Sequence, residues 1–172
     1  MTPHFSNIIL IGMAGAGKST VGPLLARQGT RTFIDTDRLI EQRCGRSLQQ
    51  QLEAVGSDAF RHLEEEVLLS LDPAELVIAT GGSAIYSEAG MAHLKDTGTV
   101  VLLDARLETI LKRVNNQDSR GLVNPDGSSL TDLYHARRPL YERWADIRIS
   151  VDHDSPAAIA EMIISRLPRA HR

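Results

Sequence analysis

Five short apolar runs punctuate the chain: Ile8 to Ile11, Phe33 to Ile34, Leu76 to Ala79, Val100 to Leu103 and Ile147 to Val151. Longer amphipathic segments lie between them, so the pattern predicts strands alternating with helices. Strands that read as almost wholly apolar need cover on both faces, which points to a parallel sheet wrapped by helices, an α/β fold. Boundary residues agree. Ser47 with Gln50 makes a capping box ahead of a helix over Leu48 to Val55, and Gly45 and Gly56 suit helix C-termini. Ser155 and Pro156 open a last helix that Pro168 closes. Pro23, soon after the first helix starts, predicts a lost hydrogen bond or a kink in its first turns.

Periodicity fails between 115 and 129, where Asn, Gly, Pro, Asp and Ser cluster. A loop of this length is near the upper end for a compact domain, where lids and binding loops are common, so a mobile lid is expected. With 172 residues, no internal repeat and no linker-like composition shift, one domain over 1–172 is expected. A hydrophobic share of 42% and a charged share of 24% exclude a disordered tail or a fibrous repeat. The balance of 19 Lys and Arg against 22 Asp and Glu argues against a nucleic-acid partner. Only Lys18, Lys95 and Lys112 are lysines; the other cations are arginines, suited to gripping carboxylate or phosphate. Cys44 is alone, the histidines lack metal-ligand spacing, and no apolar run reads as a leader or membrane span. A cytoplasmic monomer with no membrane partner and no structural metal is the expectation.

The chemistry starts at Gly12-Met13-Ala14-Gly15-Ala16-Gly17-Lys18-Ser19, which satisfies G-x-x-x-x-G-K-[ST] between a strand and a helix. Glycines let successive amides curl inward, and the helix that follows presents its positive end to the same point. The amides of Gly12, Gly15, Ala16 and Gly17 are therefore expected to cradle a polyphosphate, with Lys18 reaching its β and γ groups. Ser19 is expected on Mg²⁺, and Thr20 to cap the helix or touch the α-phosphate. A signalling GTPase is excluded, because Asn115-Asn116-Gln117-Asp118 lacks the base-reading lysine. An ATPase motor fits no better: the strand at Leu76 to Ala79 runs into Thr80-Gly81-Gly82-Ser83 instead of acidic residues. Glycines at a strand's carboxyl end let a small second substrate approach the backbone. Asp35 and Asp37 leave the second strand two residues apart, and strand alternation would send Asp35 toward Mg²⁺ and Asp37 toward a hydroxyl-bearing acceptor. Asp37 is also a candidate N-cap for a helix from Arg38.

Over nearly its full length the chain resembles the shikimate kinases, compact P-loop kinases of the nucleoside-monophosphate-kinase-like group. The shared features are Gly12 to Thr20, Asp35-Thr36-Asp37, Ile40 to Ser47, Phe60-Arg61-His62-Leu63-Glu64, Thr80-Gly81-Gly82, Arg120, and Arg137-Arg138-Pro139-Leu140-Tyr141. The resemblance implies a three-layer P-loop fold with a five-stranded parallel sheet in the order 2-3-1-4-5. It also implies transfer of the γ-phosphoryl group of ATP to the 3-hydroxyl of shikimate, with an acceptor-binding region at about 37–64. By the same resemblance Asp37 meets the acceptor hydroxyls, Arg61 and Arg137 clamp its carboxylate, and Gly81 and Gly82 line the acceptor site, Gly82 with a backbone N–H. Glu64 orients Arg61, Arg120 meets the transferring phosphate and Arg113 stacks beside adenine.

The chain departs from the family where Ser83 replaces a third glycine and where Arg120-Gly121-Leu122-Val123 replaces the usual Arg-Pro-Leu-Leu. A kinase of another small hydroxylated acid, such as gluconate or homoserine, and a nucleotide-binding module without turnover are the alternatives.

Overall fold

The computed structural model describes residues 6–116 and 127–168. Five strands form one parallel sheet: β1 (Asn7–Ile11), β2 (Thr32–Asp35), β3 (Leu76–Ala79), β4 (Gly98–Asp104) and β5 (Ile147–Ser150). Their order is β2-β3-β1-β4-β5, as the resemblance implies, with Ile9 paired to Ile78 on one side and Val100 on the other. Every residue of β1 is buried. That explains its unbroken apolar run, since a central strand covered on both faces has no solvent side to mark with polar residues.

The polar member of β1, Asn7, is fully buried and fully used. Its Oδ1 accepts from the amides of Ala74 and Leu76 at 3.2 and 3.0 Å, while its Nδ2 donates to the Asp72 carbonyl. It thereby fixes the turn that feeds β3. The strands at β2 and β4 are longer than the apolar runs suggest, because their ends are half-exposed and tolerate Thr, Gly and Asp.

Helices α1 (Lys18–Gln28), α2 (Thr36–Cys44), α3 (Leu48–Val55) and α4 (Ser57–Leu69) precede β3 or join it to the first strands. Helices α5 (Glu88–Thr97), α6 (Leu107–Asn116), α7 (Leu130–Trp144) and α8 (Pro156–Arg166) complete the chain, with a 3-10 turn at Ala84–Tyr86. The crossover through α1 runs toward β2 and the one through α5 runs toward β4, so right-handed connections place the two helices on opposite faces. α8 packs on α1.

The capping box at Ser47 and Gln50 forms, Gly45 closes α2 at φ 65°, and Ser155 caps α8. Pro23 does not interrupt α1; the helix runs through it, with only the donor to the Ser19 carbonyl lost. Gly22 lets α1 sit on the sheet, since a Cβ there would lie 2.2 Å from the Phe33 ring. A second small core of Ile40, Leu52, Phe60 and Val67 joins α2, α3 and α4 into a cluster beside the main one. Among the described residues no helix is long and apolar enough to cross a membrane.

Candidate active site

β1 and β3 are neighbours, so the turns leaving their carboxyl ends rise side by side at the point where the strand order reverses. Thr80 ties them together, its amide and hydroxyl both donating to the Leu10 carbonyl. The crevice above has a volume of about 1160 Å³, room for a nucleotide and a small acceptor together.

The first wall is the Gly12 to Gly17 turn. Gly15 and Gly17 lie at φ 82° and 101°, a region glycine occupies freely, and no side chain caps α1. The amides of Lys18 and Ser19 therefore remain available to an anion, whereas the Thr20 amide donates to the Gly17 carbonyl and the expected Ala16 amide is already spent on the Met13 carbonyl at 3.0 Å. Thr20 does not cap the helix; Gly17 holds that position and Thr20 is exposed at the mouth of the crevice. Lys18 is buried, its Nζ donating to the Gly12 and Met13 carbonyls at 2.5 and 2.9 Å. Burial pulls its pKa down to about 8, against the opposing pull of Asp37 and Asp35.

Ser19 Oγ donates to Asp35 Oδ2 at 2.9 Å, so the two expected Mg²⁺ ligands do come together. The other oxygen of Asp35 accepts from the amides of Asp37 and Arg38 at 3.0 and 3.4 Å and caps α2. Two expectations are corrected here. The strand ends at Asp35, so strand alternation does not separate Asp35 from Asp37. Asp35, not Asp37, is the cap, because the helix opens at Thr36 rather than Arg38. Asp37 instead lies in the first turn of α2 against the β3 turn, where a Cβ on Gly81 would fall 2.5 Å from its Oδ1. Burial and the charge of Asp35 push its pKa up to about 6, with Lys18 pulling the other way.

The β3 turn forms the floor on the acceptor side. The Gly81 amide donates to Thr36 Oγ1 at 3.0 Å, so Gly81 contributes space and not a free N–H. Gly82 packs under Arg137, whose Nη1 would be 2.8 Å from a Cβ at that position. Tyr141, one turn further along α7, donates its hydroxyl to the Gly82 carbonyl at 2.8 Å. Arg137 itself is only 8% exposed, and its Nε has no hydrogen-bond partner among the described residues. A buried guanidinium N–H without an acceptor is costly, and it marks a place prepared for an anion.

Glu64 does not orient Arg61 through an ion pair among the described residues; its Oε1 accepts from Ser83 Oγ at 2.5 Å. Burial pushes its pKa up to about 7. The Ser83 hydroxyl and the charges of Arg137 and Arg61 oppose that rise, while Asp37 adds to it. The intruding side chain at position 83 thus makes a contact that a third glycine cannot. Arg61 is exposed on α4 and faces the Tyr86 ring, its Cζ 5.4 Å from the centroid.

Arg113 lines the same crevice, donating from Nη1 to the Gly15 and Ala16 carbonyls and from Nη2 to the Val151 carbonyl, and so braces the phosphate turn. Arg120 and most of the expected lid lie outside the described residues, while residues 115 and 116 belong to α6. Sequence reasoning missed Thr36, Tyr86 and the Ser83–Glu64 contact. Tyr141 carried a signal, since its spacing of four from Arg137 puts both on one helix face.

A family model described as shikimate kinase matches residues 14–168. The chain is 37% identical over 164 residues to the shikimate kinase of Sulfurihydrogenibium sp. (strain YO3AOP1), covering 95% of this chain and 98% of that one. It is 39% identical over 165 residues to the shikimate kinase of Pseudomonas aeruginosa (strain LESB58), covering 94% and 95%. Among solved structures it is similar to shikimate kinase from Acinetobacter baumannii in complex with shikimate, with a TM-score of 0.80 and 36% identity over 93% of this chain and 91% of that one. A gluconokinase from Sinorhizobium meliloti 1021 has a TM-score of 0.62 at 17% identity, covering 93% and 90%, a likeness of fold alone.

Proposed function

Because the chain belongs to the shikimate kinase family, we propose that it transfers the γ-phosphoryl group of ATP to the 3-hydroxyl of shikimate, releasing ADP and shikimate 3-phosphate. The observation that carries the acceptor side is Arg137, buried beside Gly82 with its Nε unpartnered. A carboxylate is the planar anion that completes such a fork, and Arg61 supplies the second guanidinium.

On the nucleotide side, the glycine amides of the Gly12 to Gly17 turn and those of Lys18 and Ser19 cradle the β and γ phosphates. Lys18 exchanges its two carbonyl partners for phosphate oxygens and meets the charge that spreads over them during transfer. Asp37 accepts a hydrogen bond from the acceptor hydroxyl and aims its oxygen at phosphorus. A loose transition state asks little of a base, so orientation is the larger part of its work.

The oxygen pair of Ser19 and Asp35 fits Mg²⁺, which takes one or two protein oxygens and completes its shell with phosphate and water. Ser19 and Asp35 would hold that cation, which would supply charge neutralisation to the β and γ phosphates during transfer.

We assign Arg113 to the adenine edge of the crevice and Arg120 to the transferring phosphate. The chain 1–172 then acts as one monomeric kinase domain, with residues from about 37 to 64 as its acceptor side and the segment that follows α6, to about 129, as its lid. ADP release with ATP, Mg²⁺ and a panel of shikimate, gluconate and homoserine tests the reading. Saturable turnover with shikimate is expected. Turnover only with another acid overturns the acceptor assignment, and ATP binding without acceptor-stimulated turnover overturns the enzyme.

A further inference from the structure

The carboxylate fork draws its two guanidinium groups from different helices, Arg61 from α4 and Arg137 from α7. Neither forms an ion pair with a carboxylate among the described residues. What they share is one aromatic ring. The Cζ of Arg61 lies 5.4 Å from the centroid of Tyr86, and the Cζ of Arg137 lies 5.7 Å from it. Tyr86 ends the 3-10 turn that follows Gly81-Gly82-Ser83, and it is 40% exposed, one of the few large apolar side chains left open to solvent among the described residues.

Two like charges brought together repel, and a long arginine side chain such as Arg61 samples many rotamers unless something holds it. The negative face of an aromatic ring attracts cations within about 6 Å, without consuming the N–H donors that a carboxylate needs. Resting both guanidinium groups against one ring answers both problems while leaving their hydrogen-bonding edges free. On the other side, Tyr141 and Gly82 hold the position of Arg137.

We propose that Tyr86 is a positioning residue of the acceptor site, whose ring holds Arg61 and Arg137 together as one fork ready to receive the acceptor's carboxylate. The proposal rests on the acceptor being the acidic alcohol named above. A fork arranged beforehand loses less side-chain freedom on binding, so its benefit falls on acceptor affinity and not on nucleotide affinity or on the transfer step.

Steady-state kinetics and nucleotide-free shikimate titrations on the wild type, Tyr86→Leu and Tyr86→Phe test this. Tyr86→Leu is expected to weaken shikimate binding roughly 5- to 30-fold, with kcat and the KM for ATP within about twofold of wild type. Tyr86→Phe keeps the ring face and is expected to bind shikimate within about twofold of wild type. Unchanged shikimate affinity in Tyr86→Leu overturns the proposal. An equal loss in Tyr86→Phe also overturns it, because the hydroxyl would then be the active element, and so does a parallel rise in the KM for ATP. Should Tyr86→Leu not fold, Tyr86→Met carries the same expectation. A wild type that neither binds nor phosphorylates shikimate refutes the proposed function and this inference with it. A wild type that does both while Tyr86→Leu matches it refutes the inference alone.

Discussion

Ser83 Oγ stands 2.5 Å from Glu64 Oε1, joining the turn after β3 to the middle of α4. Ser83 occupies the N-cap of the 3-10 turn, yet its hydroxyl makes no cap and is spent on the carboxylate instead. Glu64 is 8% exposed and burial pushes its pKa up to about 7, so the hydroxyl is the donor that most directly favours its charged form.

That contact has a pH signature. A buried acid whose folded pKa is raised binds its proton more tightly folded than unfolded. Its contribution to stability is therefore present at low pH and is lost as pH rises through about 7. Removing the hydroxyl raises the folded pKa further and deepens the loss on the alkaline side. Ser83→Ala is expected to cost roughly 1.5–3 kcal/mol at about pH 8 and clearly less at about pH 5, read as the drop in Tm of the ligand-free protein. An equal drop at both pH values would mean that the hydroxyl does not act on the charge of Glu64.

The acceptor fork predicts a split between the two substrates. Arg137→Ala, at a buried position, is expected to weaken acceptor binding by ~2–5 kcal/mol and Arg61→Ala, at an exposed one, by less, with ATP affinity hardly changed in either. Gly82→Ala tests the same geometry without removing a charge. Its Cβ would press on Arg137 Nη1 from 2.8 Å, so the KM for shikimate is expected to rise about tenfold while that for ATP holds. Initial rates with each substrate varied in turn decide it; acceptor affinity intact in all three variants means the fork is misassigned.

Gly22→Ala sets two effects against each other. Helix propensity alone favours alanine by ~1 kcal/mol, whereas a methyl group 2.2 Å from the Phe33 ring forces α1 or the ring to move. Overpacking of this kind costs about 1–3 kcal/mol, so a net loss is expected and a Tm lower by about 2–4 °C for each kcal/mol. Phe33→Leu in the same chain is expected to recover most of it. A Tm that rises in the single variant would show that the helix and β2 are not in close contact.

How far the sequence speaks depends on how far apart the partners lie. The phosphate turn is legible because strand, glycines, Lys18 and helix are consecutive, and the strand order follows from a resemblance spread over the whole chain. The fate of Asp35 and Asp37 is not legible, since it turns on whether the strand ends one residue earlier or later, a boundary that apolar spacing does not resolve. Ser83 with Glu64, and Arg113 with the carbonyls of Gly15 and Ala16, pair residues 19 and up to 98 positions apart. Only the packing of α4 and α6 onto the central turns brings them together. Tyr86 was hidden for a related reason: its position in the chain carries no spacing relation to Arg61 or Arg137.

Lys18 gives the last prediction, because its resting partners are not its working ones. In the ligand-free protein its Nζ lies on the Gly12 and Met13 carbonyls, and burial holds its pKa near 8. A buried cation with a lowered folded pKa weighs against the folded state wherever it remains charged. At neutral pH this is on the order of 1–3 kcal/mol, relieved as pH rises from about 8 toward 10.5. Lys18→Met is therefore expected to abolish turnover while the ligand-free Tm holds or rises. Bound triphosphate places negative charge beside the ammonium group and raises its pKa, so ATP binding takes up protons near pH 8. Calorimetric titrations in buffers of different ionisation enthalpy read that uptake directly, and Lys18→Met is expected to remove it. Uptake that persists in the variant would place the titrating group elsewhere.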